Sequence, residues 1–129
     1  MEIIIVDDCS TDQTYDVWQE YQSRYSNIVL IQNDQNIGQG LSRNKGIEVA
    51  SGKYLSFVDS DDTISQYMYS DMLSLAYRGE YDIVRCGFKR IYEFMAPCIE
   101  VTKRLNNIEE FRTSDEICKK FLPKFVGFL

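Results

Sequence analysis

Ten residues, Lys53 to Asp62, constrain the fold of this chain more than any other stretch. The first six, Lys-Tyr-Leu-Ser-Phe-Val, are largely aromatic and branched and follow Ser51-Gly52, which predicts a buried strand. The last four, Asp59-Ser60-Asp61-Asp62, place three carboxylates where that strand should end. Charges so closely spaced repel one another, and burying them without partners is costly. They therefore belong at a solvent-facing strand end, where a divalent cation can neutralise them. Oxygen donors favour a hard ion, Mg²⁺ or Mn²⁺, over zinc. Ligands of open α/β sheets bind outside the carboxyl ends of the strands, the place these residues would occupy. Taken alone, the tetrapeptide also fits a solvated acidic turn that caps the next helix.

The start of the chain repeats the pattern. Glu2-Ile3-Ile4-Ile5-Val6 is a β-branched run suited to a strand covered on both faces, and Asp7-Asp8-Cys9-Ser10-Thr11-Asp12 follows at its end. Ser10, Thr11 and Asp12 are good helix caps, and a helix is predicted over about 12–25. Its stripe of Val17, Trp18, Tyr21 and Tyr25 reads as ordinary core packing. A second strand is expected over 27–31, then a polar glycine-bearing loop over 33–40. A helix over 41–49 ends at Ser51-Gly52. Arg43 and Lys45 lie in its early turns, where a cation opposes the macrodipole unless an anion is near. After the central strand come a helix over about 66–78, with Met68, Met72, Leu75 and Ala76 on one face and Gly79 closing it, and a strand over 81–88. Beyond Arg90 the pattern weakens. Helix starts are expected at Asn106–Phe111 and Ser114–Phe121, before an apolar tail from Pro123 to Leu129. The order β-α-β-α-β-α-β predicts an α/β fold with a mainly parallel sheet and both acidic clusters on one rim.

The length suits one domain with a real core. Fourteen basic against twenty acidic residues give a net charge of −6 without a basic run, which argues against a nucleic-acid partner. An acidic chain that handles a phosphorylated ligand needs a cation to mediate the contact. Cys9, Cys86, Cys98 and Cys118 show no C-x-x-C spacing and there is no histidine, so a zinc site is not expected, and idle thiols suit a reducing compartment. No apolar run approaches the ~20 residues that span a bilayer. The N-terminus turns acidic at once, unlike a signal peptide. The expectation is a cytoplasmic protein, with membrane association left open for a longer chain.

Three known families place acids in comparable positions. Ile4-Ile5-Val6-Asp7-Asp8 resembles the acidic pair of phosphorelay receiver domains, with Asp59 as phosphoacceptor. No predicted strand ends in the lysine those domains need, and Lys89 lacks the expected small residue and proline. Phe57-Val58-Asp59-Ser60-Asp61-Asp62-Thr63 resembles the D-x-D-x-T pattern of haloacid-dehalogenase-type phosphatases, with Asp59 as nucleophile and Asp61 as acid/base. That pattern belongs on the first strand of its fold, whereas two strands are predicted ahead of it here.

A third resemblance takes in far more residues. Val6-Asp7-Asp8-Cys9-Ser10-Thr11-Asp12, then Asn36-Ile37-Gly38 through Arg43-Asn44-Lys45-Gly46, then Gly52-Lys53-Tyr54-Leu55-Ser56-Phe57-Val58-Asp59-Ser60-Asp61-Asp62 resemble family 2 glycosyltransferases, in that order. The family patterns are V-D-D-x-S-x-D, N-x-G-x-x-x-x-R-N-x-G and G-x-Y-[IL]-x-F-[LV]-D-x-D-D. Cys9, where glycine is commonest, is the one clear departure within them.

The resemblance implies a GT-A fold with a Rossmann-like nucleotide-sugar-binding half over residues 1–90, and residues 91–129 as the start of an acceptor part. It implies an inverting, Mn²⁺- or Mg²⁺-dependent transfer from a UDP-sugar to a saccharide or lipid-linked acceptor in cell-surface polysaccharide biosynthesis. Asp8 would accept from the nucleobase, and Asp59-Ser60-Asp61 would form the D-x-D. Within it, Asp61 would be the main metal ligand and Asp59 would face the ribose or the metal. Asn36, Gly38 and Arg43 would flank the donor.

Against the family pattern, the first strand and the later acceptor half are missing, and no acid after residue 90 stands in the context of a general base. The chain is thus expected to be an internal fragment, inactive alone, that self-associates through an exposed sheet edge. A non-catalytic nucleotide-binding or partner-binding remnant is the alternative from another class.

Overall fold

The computed structural model describes residues 1–92 and 99–103. They fall into two compact units, Met1–Asp62 and the described part of Thr63–Leu129.

The first unit is built on two parallel strands, β1 (Ile3–Asp7) and β2 (Ile28–Gln32), in register from Ile3 opposite Ile28 to Asp7 opposite Gln32. Helix α1 (Thr14–Arg24) connects them and α2 (Gln39–Val49) follows β2, so the predicted β-α-β-α order holds here. None of the three expected caps, Ser10, Thr11 and Asp12, is the N-cap of α1, which is Gln13 with no side-chain cap bond. Asp12, just ahead of it, accepts the Thr14 amide on Oδ1 at 2.9 Å, and the Thr14 hydroxyl first and its amide next hold the carboxyl below its usual range. Both α1 and α2 pack on β1, and α1 also packs on β2. Gly46 faces the strand, where a Cβ would fit in ordinary contact with Val6 Cγ2 at 3.6 Å and Ile4 Cγ2 at 3.8 Å.

The aromatic stripe of α1 is not core. No residue of α1 is buried, Trp18 is half-buried, and Tyr21 and Tyr25 are exposed. The three rings instead form a ladder along the helix surface, with centroids 5.8 and 6.3 Å apart. An i, i+3, i+4 aromatic pattern reports which side chains share a face, not whether a layer lies above that face.

The larger departure is the central segment. Residues 53–58 form no strand, and Leu55, Phe57 and Val58 are exposed. Among the described residues β1 pairs only with β2. A strand exists only where a neighbour takes its amides and carbonyls, so an apolar, β-prone sequence without a paired edge stays irregular.

In the second unit, α3 (Met68–Gly79) buries Ala76, one of its predicted apolar positions. Its stop lies one residue later than expected. Glu80 adopts φ 52°, the left-handed turn that ends a helix, and the Tyr81 amide closes back on the Ala76 carbonyl at 3.0 Å. Gly79 serves a different need, because a Cβ there would lie 2.2 Å from the Tyr81 ring. The strand expected over 81–88 is displaced. β3 (Phe88–Tyr92) instead pairs antiparallel with β4 (Ile99–Lys103), Phe88 opposite Lys103. The alternation Ile99-Glu100-Val101-Thr102 is the signal for that second strand. The helix starts at 106–111 and 114–121 and the apolar tail lie outside the described residues.

Candidate functional site

The site grows from the ends of β1 and β2 and the beginning of α2. Because the strands run in parallel register, Asp7 stands opposite Gln32, and the next residues, Asp8 and Asn33, leave the sheet side by side. The Asn33 amide N–H donates to the Asp7 carbonyl at 2.9 Å, which extends the ladder by one bond.

Asp8 is the centre of this corner. Its Oδ1 accepts from Asn33 Nδ2 at 2.8 Å and from the Ile37 amide at 2.9 Å, while Oδ2 accepts the Gly38 amide at 2.8 Å. These donors, the Ile37 amide foremost and Asn33 next, hold the Asp8 carboxyl below its ordinary range. An ionised carboxylate offers about four acceptor positions. Asn33, Ile37 and Gly38 take most of that capacity, and the Ser42 hydroxyl adds a smaller contribution.

Gly38 makes that arrangement possible. Its φ of 85° is a conformation that L side chains rarely adopt, and it turns the amides of 37 and 38 toward Asp8 just before α2 begins. Asn36, in the same loop, is exposed.

Asp59 meets the other side of the same helix start. Arg43 donates to its Oδ1 at 2.6 Å and Gln39 Nε2 donates to the same oxygen at 3.1 Å. The Arg43 guanidinium also lies over the Phe57 ring, 5.8 Å from its centroid. The anion that would explain Arg43 at this helix start is Asp59. Lys45 pairs with no anion among the described residues; its Nζ donates to Asn33 Oδ1 at 2.8 Å. Ser60, Asp61 and Asp62 are exposed, in a turn closed by the Asp62 amide on the Asp59 carbonyl at 3.0 Å.

The residues from Ile37 to Arg43 thus bind both acidic clusters, Asp8 through two amides and Asp59 through two side chains. Asn36, Ser60 and Asp61 make no hydrogen bond into this constellation among the described residues.

Sequence reasoning passed over Asn33, Ser42, Gln39 and Asp7. Asn33 and Ser42 are buried, and Asn33 Nδ2 also donates to Ser42 Oγ at 2.9 Å. A signal existed for Asn33: it is the first polar residue past an apolar strand whose neighbour ends in Asp7-Asp8. Asp7 is only 4% exposed. Its Oδ2 accepts the Ser10 amide at 3.2 Å and its Oδ1 has no partner among the described residues. Cys9 takes φ 63°, a left-handed conformation, which explains physically why glycine is the common residue there.

The acids offer hard oxygen donors, yet among the described residues no group of three or more His, Cys, Asp or Glu side chains could enclose a metal. Such a donor set does not make an all-protein cage. It fits Mg²⁺ or Mn²⁺ held by one or two carboxylates and completed by phosphate oxygens.

Known proteins resemble this chain in sequence. Over 87 residues the chain is 38% identical to an uncharacterised glycosyltransferase, YibD, of Escherichia coli (strain K12), covering 67% of this chain and 25% of that protein. It is 48% identical over 61 residues to the putative teichuronic acid biosynthesis glycosyltransferase TuaG of Bacillus subtilis (strain 168), covering 47% of this chain and 24% of that one. It is also 48% identical over 64 residues to the poly(ribitol-phosphate) beta-glucosyltransferase of Bacillus spizizenii, covering 49% of this chain and 10% of the relative. The chain spans a quarter or less of the length of these relatives. No solved structure gives a significant match. No helix among the described residues is long and apolar enough to cross a membrane. The sequence profile of glycosyl transferase family 2 matches residues 1–127 of the 129, and the chain belongs to that family.

Proposed function

We propose that this chain is the donor-binding part of a glycosyltransferase that moves a sugar from a UDP-sugar to the hydroxyl of a saccharide or lipid-linked acceptor, with inversion. The observation that carries this reading is the convergence of Asp8 and Asp59 on the segment from Ile37 to Arg43. One acid, fixed at a strand end and able only to accept, suits a base N–H. The other, at the head of an exposed acidic turn, suits a metal-bound diphosphate. The names of two relatives, in teichuronic acid and poly(ribitol-phosphate) chemistry, support a place in cell-surface polysaccharide synthesis. Cys9 and Cys86 are free thiols, which suits a reducing, cytoplasmic setting.

In this reading Asp8 Oδ2 accepts the uracil N–H. Cytosine offers a lone pair at that position, so the carboxylate discriminates by repulsion as well as by attraction. Asp61, with Asp59, holds Mn²⁺ or Mg²⁺, and Ser60 spaces the two carboxylates. A bound divalent ion supplies charge neutralisation for the departing diphosphate. Arg43, next to Asp59, adds a second positive group on the donor side, and Asn36 and Gly38 shape the loop that borders it.

The test is a calorimetric competition between UDP and CDP in the presence of Mn²⁺. UDP should bind about tenfold tighter or better, and Asp8→Ala should bring the two nucleotides together. Equal binding of UDP and CDP by the parent chain would remove Asp8 from the base site.

A further inference from the structure

We infer that Asn33, with its amide held in one sense by Lys45, is the positioning residue that aims Asp8 and thereby sets the nucleobase preference of the site. The inference rests on the base-binding role proposed for Asp8.

Asn33 is 2% exposed and every polar group of its side chain is committed. Oδ1 accepts from Lys45 Nζ at 2.8 Å, and Nδ2 donates to Asp8 Oδ1 at 2.8 Å and to Ser42 Oγ at 2.9 Å. A lysine ammonium only donates, and a carboxylate only accepts. The Lys45 contact therefore fixes the carbonyl end of the amide toward α2 and leaves the N–H₂ end facing Asp8. Reversing the amide would set Nδ2 against a cation and Oδ1 against a carboxylate, two repulsive contacts in a buried position.

Asp8 has one rotatable carboxylate, held mainly by Asn33 and the Ile37 and Gly38 amides. The Ile37 and Gly38 amides approach from the loop, one on each oxygen. They tie the carboxylate to a loop that rests on a glycine at positive φ. Asn33 is the donor anchored in the strand layer, through its own amide on the Asp7 carbonyl. It holds Oδ1 together with the Ile37 amide. Without Asn33 the carboxylate loses its anchor in the strand layer and keeps only the loop amides and the Ser42 hydroxyl. Such a group still accepts an N–H but no longer holds one fixed direction, so discrimination between bases falls further than affinity does.

Asn33→Ala and Lys45→Met are compared with the parent chain in two measurements. The first is the ratio of UDP to CDP affinity in Mn²⁺. The second is the Asp8 carboxyl titration followed by carbon NMR. In Asn33→Ala the ratio should fall at least about threefold while UDP affinity changes less. The Asp8 titration should move up toward its ordinary value. Lys45→Met keeps Asn33 and the lysine stem's bulk, and should shift both readouts in the same direction by less. A residue that merely packs would lower stability and leave the ratio alone. An unchanged ratio and unchanged Asp8 titration in folded Asn33→Ala would overturn the inference while leaving Asp8 in the base site. If Asn33→Ala does not fold, an unchanged pair of readouts in Lys45→Met overturns it equally. A parent chain that binds UDP and CDP alike, or neither, defeats the base-site reading itself and leaves nothing for Asn33 to aim.

Discussion

Replacing Arg43 by glutamine should tighten Mn²⁺ binding to the chain when no nucleotide is present. Arg43 lies 2.6 Å from Asp59 Oδ1, the oxygen that Gln39 also contacts, so a cation approaching that oxygen must displace the guanidinium or share with it. The side chains are 35% and 45% exposed, so the ion pair is screened by solvent and is worth about 1 kcal/mol or less after that discount. Displacing it costs the metal up to about fivefold in affinity, since 1.4 kcal/mol is about tenfold. Losing a positive charge beside the site acts in the same direction. Arg43→Gln should therefore bind Mn²⁺ about fivefold tighter, measured by paramagnetic broadening of the Asp59 and Asp61 resonances, with a smaller gain at high salt. With UDP present the sign should reverse, because the variant lacks the positive group assigned to the diphosphate. Unchanged or weaker Mn²⁺ binding without nucleotide would refute the claim that metal and Arg43 compete for Asp59.

Four further outcomes are expected. Asp61→Asn should abolish the Mn²⁺ dependence of nucleotide binding, whereas Glu80→Gln, at the end of α3, should leave it intact; equal dependence in both by titration calorimetry would remove Asp61 as a ligand. Cys9→Gly should raise stability by up to about 1 kcal/mol in urea unfolding. Relief of a left-handed backbone returns about 1–2 kcal/mol and the added freedom of glycine takes back about 0.5–1; a destabilised variant would show that the Cys9 side chain matters more than its φ. The Asp8 carboxyl is depressed below its ordinary 3.8 by the Ile37 amide first and Asn33 next, so its contribution is present above that value and is lost as pH falls through the lower folded value. Asp8→Asn should therefore flatten the acid limb of stability below about pH 4, and an unchanged limb in acid unfolding would contradict the hydrogen-bond assignment. Finally, β1 has one edge without a strand partner among the described residues, so the chain should self-associate with rising concentration in analytical ultracentrifugation. A strict monomer at high concentration would show that edge to be covered.

Local chemistry determined much of this protein. Ile3 to Val6 read as a strand, Asp7 and Asp8 marked its polar end, and an anion near the helix start would explain the basic residue at position 43. The family, too, was legible, because Asp8, Gly38, Arg43 and Asp59 stand at spacings that few other folds share. What the residues could not state was which donor meets which acceptor. Asp8 was expected to face a ligand, and the structure commits it to Asn33, Ile37 and Gly38, since parallel register and the positive φ of Gly38 bring those donors to it. Residues 53–58 carry every local mark of a strand and do not form one, because strand propensity becomes structure only when a second backbone supplies hydrogen bonds. The aromatic face of α1 fails as core for a related reason: helical spacing selects a face, and only tertiary contact decides whether anything lies on it.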